Sequence, residues 1–412
     1  NIGINVLEQK PHLLDGNEMI NFRQDYEAAA KYWFLPGLAP TVGGVKFDTA
    51  STPGIQYYYK DPRTNPGGLS TAQWMGLRPG SAGDPVVEWL NRNEFKPIEI
   101  SNIMAGKMLN WENLIYNKNA LQHDHTVSMS GRKEDFNYYL SMGYLSNQGL
   151  TVGDQYKVFR TRVNLEGQAT KFLTVGLNLQ YSNRDESSVP VSMSDVQQTT
   201  PWGSYYADDG VTLRLSPNDD PGNNTHPFME QAYTDRMKKF DNFFGSVYAK
   251  GKLPWGFSYQ VNFTPRLENY RYFNFRSPLN PTIAARNGVA IRQSQTIYQW
   301  QLDNVIKWYH QFGKHTFDAT FLINAEKFQS WGDSTNAENF SPNSNLSYHN
   351  LGGAAILNTF TKDEYATGDA LMGRLAYNYD QRYFLTGTVR RDGYSAFGQQ
   401  NPRATFYSFG AS

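Results

Sequence analysis

Residues 136–146 read FNYYLSMGYLS, and the reading of this stretch decides the fold. Phe136, Tyr138, Leu140, Met142 and Tyr144 are apolar or aromatic, while Asn137, Ser141 and Gly143 between them are polar or small. Period-two alternation is the mark of a β-strand with two unlike faces. In a soluble protein the apolar face is the buried one; in a transmembrane barrel it points outward into lipid. A single strand is compatible with both.

The same pattern recurs along the chain. Phe159, Thr161, Val163 and Leu165 oppose Arg160, Arg162 and Asn164, and Leu173, Val175, Leu177, Leu179 and Tyr181 oppose Asn178 and Gln180. Phe257, Tyr259, Val261 and Phe263 oppose Gln260 and Asn262, and Phe317, Ala319, Phe321 and Ile323 oppose Asp318 and Asn324. Leu371, Gly373, Leu375, Tyr377 and Tyr379 oppose Arg374 and Asn378, and Tyr383, Leu385, Gly387 and Val389 oppose Thr386 and Arg390. Segments of about ten residues suffice for a tilted strand to cross a bilayer.

The connections separate the two readings. Short ones are GRKED (131–135), EGQATK (166–171), KLPWG (252–256), FGKH (312–315) and DQR (380–382). Long ones run roughly over 10–122, 186–240, 275–295, 330–366 and 391–404, with NQGLTVGDQ (147–155) as a brief exception. Counted from a first strand in NIGINVL, every short turn falls at one end of the sheet and the long loops at the other. Soluble sandwiches mix loop lengths, whereas membrane barrels keep tight turns periplasmic and long loops outside. The sequence therefore predicts an all-β, antiparallel transmembrane barrel with eleven strands and the opening of a twelfth. Arg160, Arg162, Arg374 and Arg390 then face a wet lumen. The competing class is a soluble exported all-β protein that binds carbohydrate or serves a structural role.

Composition agrees. There are 38 Lys and Arg against 38 Asp and Glu, which argues against a nucleic-acid partner. With no cysteine there is no disulfide framework or thiolate metal site. Mean hydropathy is −0.61, and no run approaches the ~18 apolar residues of a membrane helix. The 15% aromatic content suits interface girdles, to which Tyr138, Tyr144, Tyr181, Phe257, Tyr377 and Tyr383 are assigned. The first long connection carries an Asp/Asn-capped helix over 15–34, a Gly/Pro-rich irregular stretch over 35–85 and a short helix at 85–93. A loop this long with structure of its own is usually functional. The chain opens and closes inside strand-like runs without a signal peptide, which reads as a mature or truncated chain.

Several segments, in order, resemble the SusC/RagA-like TonB-dependent outer-membrane transporters of Bacteroidetes-type bacteria. They are NWENLIYNKNALQHDHTVSMSGRKEDFNYYLSMGYLSNQG (110–149), RTRVNLEGQATKFLTVGLNLQYS (160–182) and GRLAYNYDQRYFLTGTVRRDGYSAFGQQNPRATFYSFGAS (373–412). Tyr394 stands where a small residue is more usual. The resemblance implies a barrel of about 22 strands with an N-terminal plug. It also implies a SusD-like surface lipoprotein as lid, and TonB-energised import of oligosaccharides or oligopeptides. On that pattern residues 1–412 are the N-terminal half of the barrel, with the plug and its TonB contact outside this chain.

Chemistry-bearing clusters are few. His123 and His125 share a strand face but lack a third metal ligand. Asp208, Asp209, Asp219 and Asp220 with Asn223 and Asn224 form an oxygen-rich set without calcium-loop spacing, and read as solvated turns. No nucleophile elbow, phosphate-binding glycine loop or zinc-protease helix appears, so no enzyme, metal or cofactor is expected. Ligand contact is assigned to the loop aromatics Trp74, Trp89, Trp202, Tyr205, Tyr206 and Trp331, whose rings stack on sugars or apolar peptide side chains. The competing role for each is to staple loops to one another or to a lid.

Overall fold

The computed structural model describes residues 1–6, 12–33, 41–42, 45–46, 53–220, 222, 225–340, 345–398 and 402–412. Its frame is one antiparallel sheet of 12 strands in unbroken sequence order. The strands are β1 (Ile2–Asn5), β4 (Ala120–Lys133), β5 (Phe136–Gln148), β6 (Gln155–Thr170), β7 (Leu173–Asp185) and β8 (Thr234–Lys252). They continue with β9 (Phe257–Arg276), β10 (Val289–Phe312), β11 (His315–Glu338), β12 (Ile356–Tyr379), β13 (Tyr383–Tyr394) and β14 (Arg403–Ala411). A two-residue pair, β2 (Thr41–Val42) and β3 (Val45–Lys46), stands apart. The first connection holds helices α1 (Gly16–Trp33), α2 (Thr71–Met75), α3 (Pro85–Arg92), α4 (Pro97–Met104) and α5 (Trp111–Ile115). The 186–233 connection adds α6 (Met193–Val196) and α7 (Met229–Tyr233).

Nearest-neighbour order puts the short turns at 134–135, 171–172, 253–256, 313–314 and 380–382 at one end, as expected. Several strands run longer than the apolar alternation shows. β10, β11 and β12 have 24 residues each, so the loops read as 275–295 and 330–366 shrink to 277–288 and 339–355. Ladder hydrogen bonds continue above the apolar band through polar residues such as Gln293, Gln295, Ser334 and Asn336, where a dyad signal is lost. Part of the 35–85 stretch lies outside the described residues. From 53 onward it is organised by short 3₁₀ turns and α2 rather than being irregular throughout.

Register sorts the two faces, because residues directly opposite across a ladder share a side. Tyr138, Leu165, Leu177, Val247, Phe263, Leu302 and Ala325 form one row across β5 to β11. Phe257, Trp308, Ala319, Leu375, Gly387 and Phe409 form another across β9 to β14. The opposite face carries Asn137, Glu166, Gly176, Tyr248, Asn262, Asp303 and Asn324 in a single row. A soluble sandwich would bury the apolar face under a second layer. Here it is bare: Leu375 is 50% exposed, Val389 49% and Phe321 45%. Its lower edge is an aromatic ladder in which Trp308 neighbours Phe257 and Phe317 at 6.2 Å, and Phe317 lies 5.1 Å from Tyr377. Amphipathic rings at the end of an apolar band are an interfacial girdle.

Higher on the same outward face, Phe273, Phe275, Ala290 and Ala337 are buried beneath Phe340 and Tyr348. The 339–355 connection is thereby folded against the wall, and Ser347 Oγ donates to Asp235 at 2.7 Å to fasten it.

Candidate functional site

The two longest connections, 6–119 and 186–233, meet at the long-loop end of the sheet and build a cap with two apolar centres. α1 begins as its sequence dictates. Asp15 Oδ1 accepts from the amides of Asn17 and Glu18, and Glu18 reaches back to the Asp15 amide at 2.9 Å. α3 starts with Pro85 at its first position, and the Asp84 carboxylate takes the Val86 and Val87 amides.

The first centre is organised around a buried cation. The Arg92 guanidinium lies 3.6 Å from the Trp74 ring centroid and 4.4 Å from that of Tyr58. It donates to the carbonyl of Met75 at 3.1 Å and pairs with Glu88 at 3.0 Å. Burial lowers the Arg92 pKa, opposed by its bond to Glu88. Burial alone would raise that of Glu88, but hydrogen bonds from Arg92 and Ser81 hold it below the usual carboxylate range. Nearby Glu99, fully buried, takes Arg23 through both oxygens at 3.0 and 3.1 Å and also accepts from the Lys96 amide.

The second centre surrounds His226. Its ring sits 4.6 Å from Tyr205, 5.7 Å from Trp111 and 5.9 Å from Phe228. Nδ1 accepts from the Phe228 amide, which places the proton of the neutral ring on Nε2. Burial pushes the His226 pKa down to about 4. The two centres are joined by polar stitches. Asn102 Nδ2 donates to the carbonyls of Trp202 and Gly203, Trp111 Nε1 donates to Thr200, and Trp202 Nε1 donates to Gly16.

Against this geometry the six loop aromatics divide. Trp74 is fully buried and Trp89 nearly so, their indole N–H groups donating to the carbonyls of Tyr57 and Tyr59. Trp202 packs against that same core. Tyr205 stacks on Trp111 and belongs to the second centre. Tyr206, 47% exposed, presents its ring to the outside with its edge on Tyr205. Trp331 lies on β11 and not in a loop; it is paired with Asp363 on the outward face, away from the cap. Its strand outlasts the apolar alternation, which is why the sequence boundary fell short.

The acidic set is occupied by protein groups. Arg214 bridges Asp208 at 3.0 Å and Asp219 at 2.7 Å, while Asp209 accepts from the amides of Val211 and Thr212. Lys96 stands 3.7 Å from Asp220. Asn223 and Asn224 lie outside the described residues. His123 and His125 face outward with rings 5.1 Å apart. Among the described residues no three His, Cys, Asp or Glu side chains gather as a metal site would require.

Below the cap, the inner wall of β5 to β8 holds a recess of about 410 Å³ lined by Tyr139, Ser141, Arg160, Arg162, Gln180 and Phe244. With its amide oxygen turned toward Arg162, Gln180 accepts from that guanidinium at 3.0 and 3.3 Å. The dyad pattern put Arg160, Arg162 and Gln180 on the inner face without showing that they share a recess, and nothing in it announced the buried Arg92 and His226. The Glu88–Arg92 spacing of four on one helix was the one legible hint.

No family model matches the chain. It is 25% identical over 312 residues to TonB-dependent receptor P3 of Formosa agariphila, covering 72% of this chain and 30% of that protein. TonB-dependent receptor P26 of the same organism is 25% identical over 305 residues, covering 69% and 29%. The chain thus spans under a third of the length of these curated relatives. Among solved structures, the RagAB peptide transporter superposes on the whole chain and 43% of its own, with a TM-score of 0.69 at 17% identity. The RagAB peptide importer in its open-open state gives 0.65 at 16% identity, over the whole of this chain and 42% of its own. The fold is that of the TonB-dependent transporter barrel of the outer membrane, and the resemblance to SusC/RagA-like proteins read from residues 110–149, 160–182 and 373–412 is borne out.

Proposed function

We infer that this chain is barrel wall and extracellular cap of an outer-membrane TonB-dependent importer, the N-terminal half of its barrel. The observation that carries the reading is the pairing of a bare apolar band, girdled by aromatics, with long connections gathered at one end. Curated relatives named as TonB-dependent receptors support it. Cargo enters from the capped end, meets the wet inner wall, and passes when a plug energised through TonB is displaced. No covalent chemistry is involved.

The cargo is an oligosaccharide or an oligopeptide, and a SusD-like lipoprotein serves as lid. The likeness to the RagAB peptide transporter favours peptide. Of the six loop aromatics Tyr206 is the best exposed to meet it, with Trp202 and Tyr205 behind, while Trp74 and Trp89 hold the cap in shape. Trp331 on the outer wall fits an interfacial position better than a cargo contact.

The test is uptake by cells carrying or lacking the whole gene, with labelled oligopeptides and oligosaccharides supplied in parallel. Uptake of one class that requires both the gene and a functional TonB is expected. Equal uptake in the deletion strain, or import that ignores TonB, defeats the reading.

A further inference from the structure

The recess on the inner wall of β5 to β8 is built by two neighbouring rows. Ser141, Arg162, Gln180 and Phe244 stand in register across the four strands, and Gly143, Arg160, Ser182 and Asn242 form the next row toward the cap. Its volume of about 410 Å³ is within the range of small-ligand sites.

Two features of the recess call for a ligand, and together they define its chemistry. The first is charge. Arg160 closes on Asp124 at 2.6 Å, whereas Arg162 has no carboxylate partner among the described residues. Glu166, two inward positions nearer the short turns, takes the Tyr248 hydroxyl instead. What meets the Arg162 guanidinium is the Gln180 amide oxygen, at 3.0 Å from Nη2 and 3.3 Å from Nε. That edge of the fork matches the two oxygens of a carboxylate, so one neutral oxygen leaves its charge unanswered. The second feature is the surround. Among the described residues Ser141, Ser182 and Asn242 make no side-chain hydrogen bond, so donors line the recess without partners. Phe244 is 46% exposed on this polar row, and its ring and that of Tyr139 offer apolar surface on either side of the guanidinium.

We propose that the recess is a cargo subsite that holds a carboxylate of an oligopeptide. Arg162 anchors the two oxygens and displaces the Gln180 amide from its fork, while Phe244 and Tyr139 pack against the residue that carries the carboxylate. The proposal rests on the importer reading given above and adds a preference to it: peptides with acidic side chains or a free C-terminus are held on this wall.

The test uses the protein expressed from its whole gene, purified in detergent. The probes are a tryptic digest of albumin and the same digest with its carboxyl groups converted to amides. The parent protein is expected to retain the untreated digest in preference to the amidated one, and Arg162→Gln to lower that preference by on the order of tenfold. Arg162→Lys, which keeps the charge without the fork, retains part of it. Arg374→Gln, which removes a lumen cation on β12, leaves it unchanged. No preference in the parent, or an undiminished preference in Arg162→Gln, overturns the proposal. So does an equal loss of both digests in Arg162→Gln, which would assign the guanidinium to a carboxylate of the protein itself. Displacement of the peptides by a pool of oligouronates, in the parent, overturns the choice of peptide as the source of the carboxylate. The importer reading fails separately, when uptake by cells ignores the gene or TonB; peptide retention without a charge preference fails only the subsite.

Discussion

Arg160 on β6 and Asp124 on β4 close an ion pair at 2.6 Å although β5 runs between them. The β5 residue in register with Arg160 is Gly143, where a Cβ would stand 2.8 Å from the guanidinium Nε. Gly176 on β7 serves the same purpose beneath the Tyr248 ring, whose hydroxyl donates to Glu166 two strands away. Glycine at these inward positions opens a path over the intervening strand, so the inner wall is tied across three strands at once.

Gly143→Val should therefore push Arg160 off Asp124 and destabilise the barrel by about 1–3 kcal/mol. The measurement is the temperature of the heat-modifiable transition on gels. Arg160→Gln should cost less, because the pair is partly in water. An unshifted transition in Gly143→Val would remove the account of the glycine.

The row assignments predict opposite accessibility for neighbours. These 412 residues hold no cysteine, so Leu177→Cys and Asn178→Cys are each read against the parent protein. A small water-soluble thiol reagent should label Asn178→Cys and spare Leu177→Cys in intact outer membrane. Ready labelling at 177 with protection at 178 would mean that the faces are inverted, since a one-residue slip exchanges them all.

Topology has its own test. An epitope inserted at Gly210 should be detected on intact cells, and one at Gln168 only after permeabilisation. Surface detection of the 168 epitope would reverse the membrane orientation.

The cap should unfold separately from the wall. Arg92→Leu removes the closer of the two cations on buried Glu88, leaving only the half-exposed Arg78 at 3.2 Å, and takes the cation from the Trp74 ring, at a cost of about 3 kcal/mol. Limited proteolysis should then cut within 53–119 while the heat-modifiable shift persists. Loss of both together would mean that the cap is needed to form the barrel.

His226 sets a pH dependence with a definite sign. Its folded pKa of about 4 lies below the ordinary 6.5, so between those values the opened loop takes up a proton that the folded loop refuses. The folded cap is unaffected above pH 6.5 and weakens as pH falls toward 4, by up to ~3 kcal/mol. Once corrected for the intrinsic pH dependence of amide exchange, hydrogen exchange of residues 186–233 should accelerate over that window, and His226→Phe should flatten the response. An acceleration that is identical in the variant would assign it to other groups.

The strands, their faces and the loop asymmetry were legible in the sequence because each is a local property. Alternation at Tyr138, Leu140 and Met142, or at Val175, Leu177 and Leu179, follows from the two-residue period of an extended backbone, and a turn such as GRKED closes between adjacent segments. The start of α1 at Asp15 and of α3 at Asp84 was legible for the same reason: a cap bonds amides two or three residues away. What the tertiary structure decided is everything that depends on lateral partners. Burial of Trp74 and Trp89, exposure of Tyr206, and the pairing of Arg214 with Asp208 and Asp219 arise where distant segments or turns meet. Trp331 sits on a strand because β11 keeps its hydrogen bonds to β10 and β12 after its apolar alternation has ended. Asp124 meets Arg160, and Lys239 faces Arg271, because register across the sheet places them there. Register is set by the summed pairing of whole strands and by the turns that join them, so no single residue or short motif carries it.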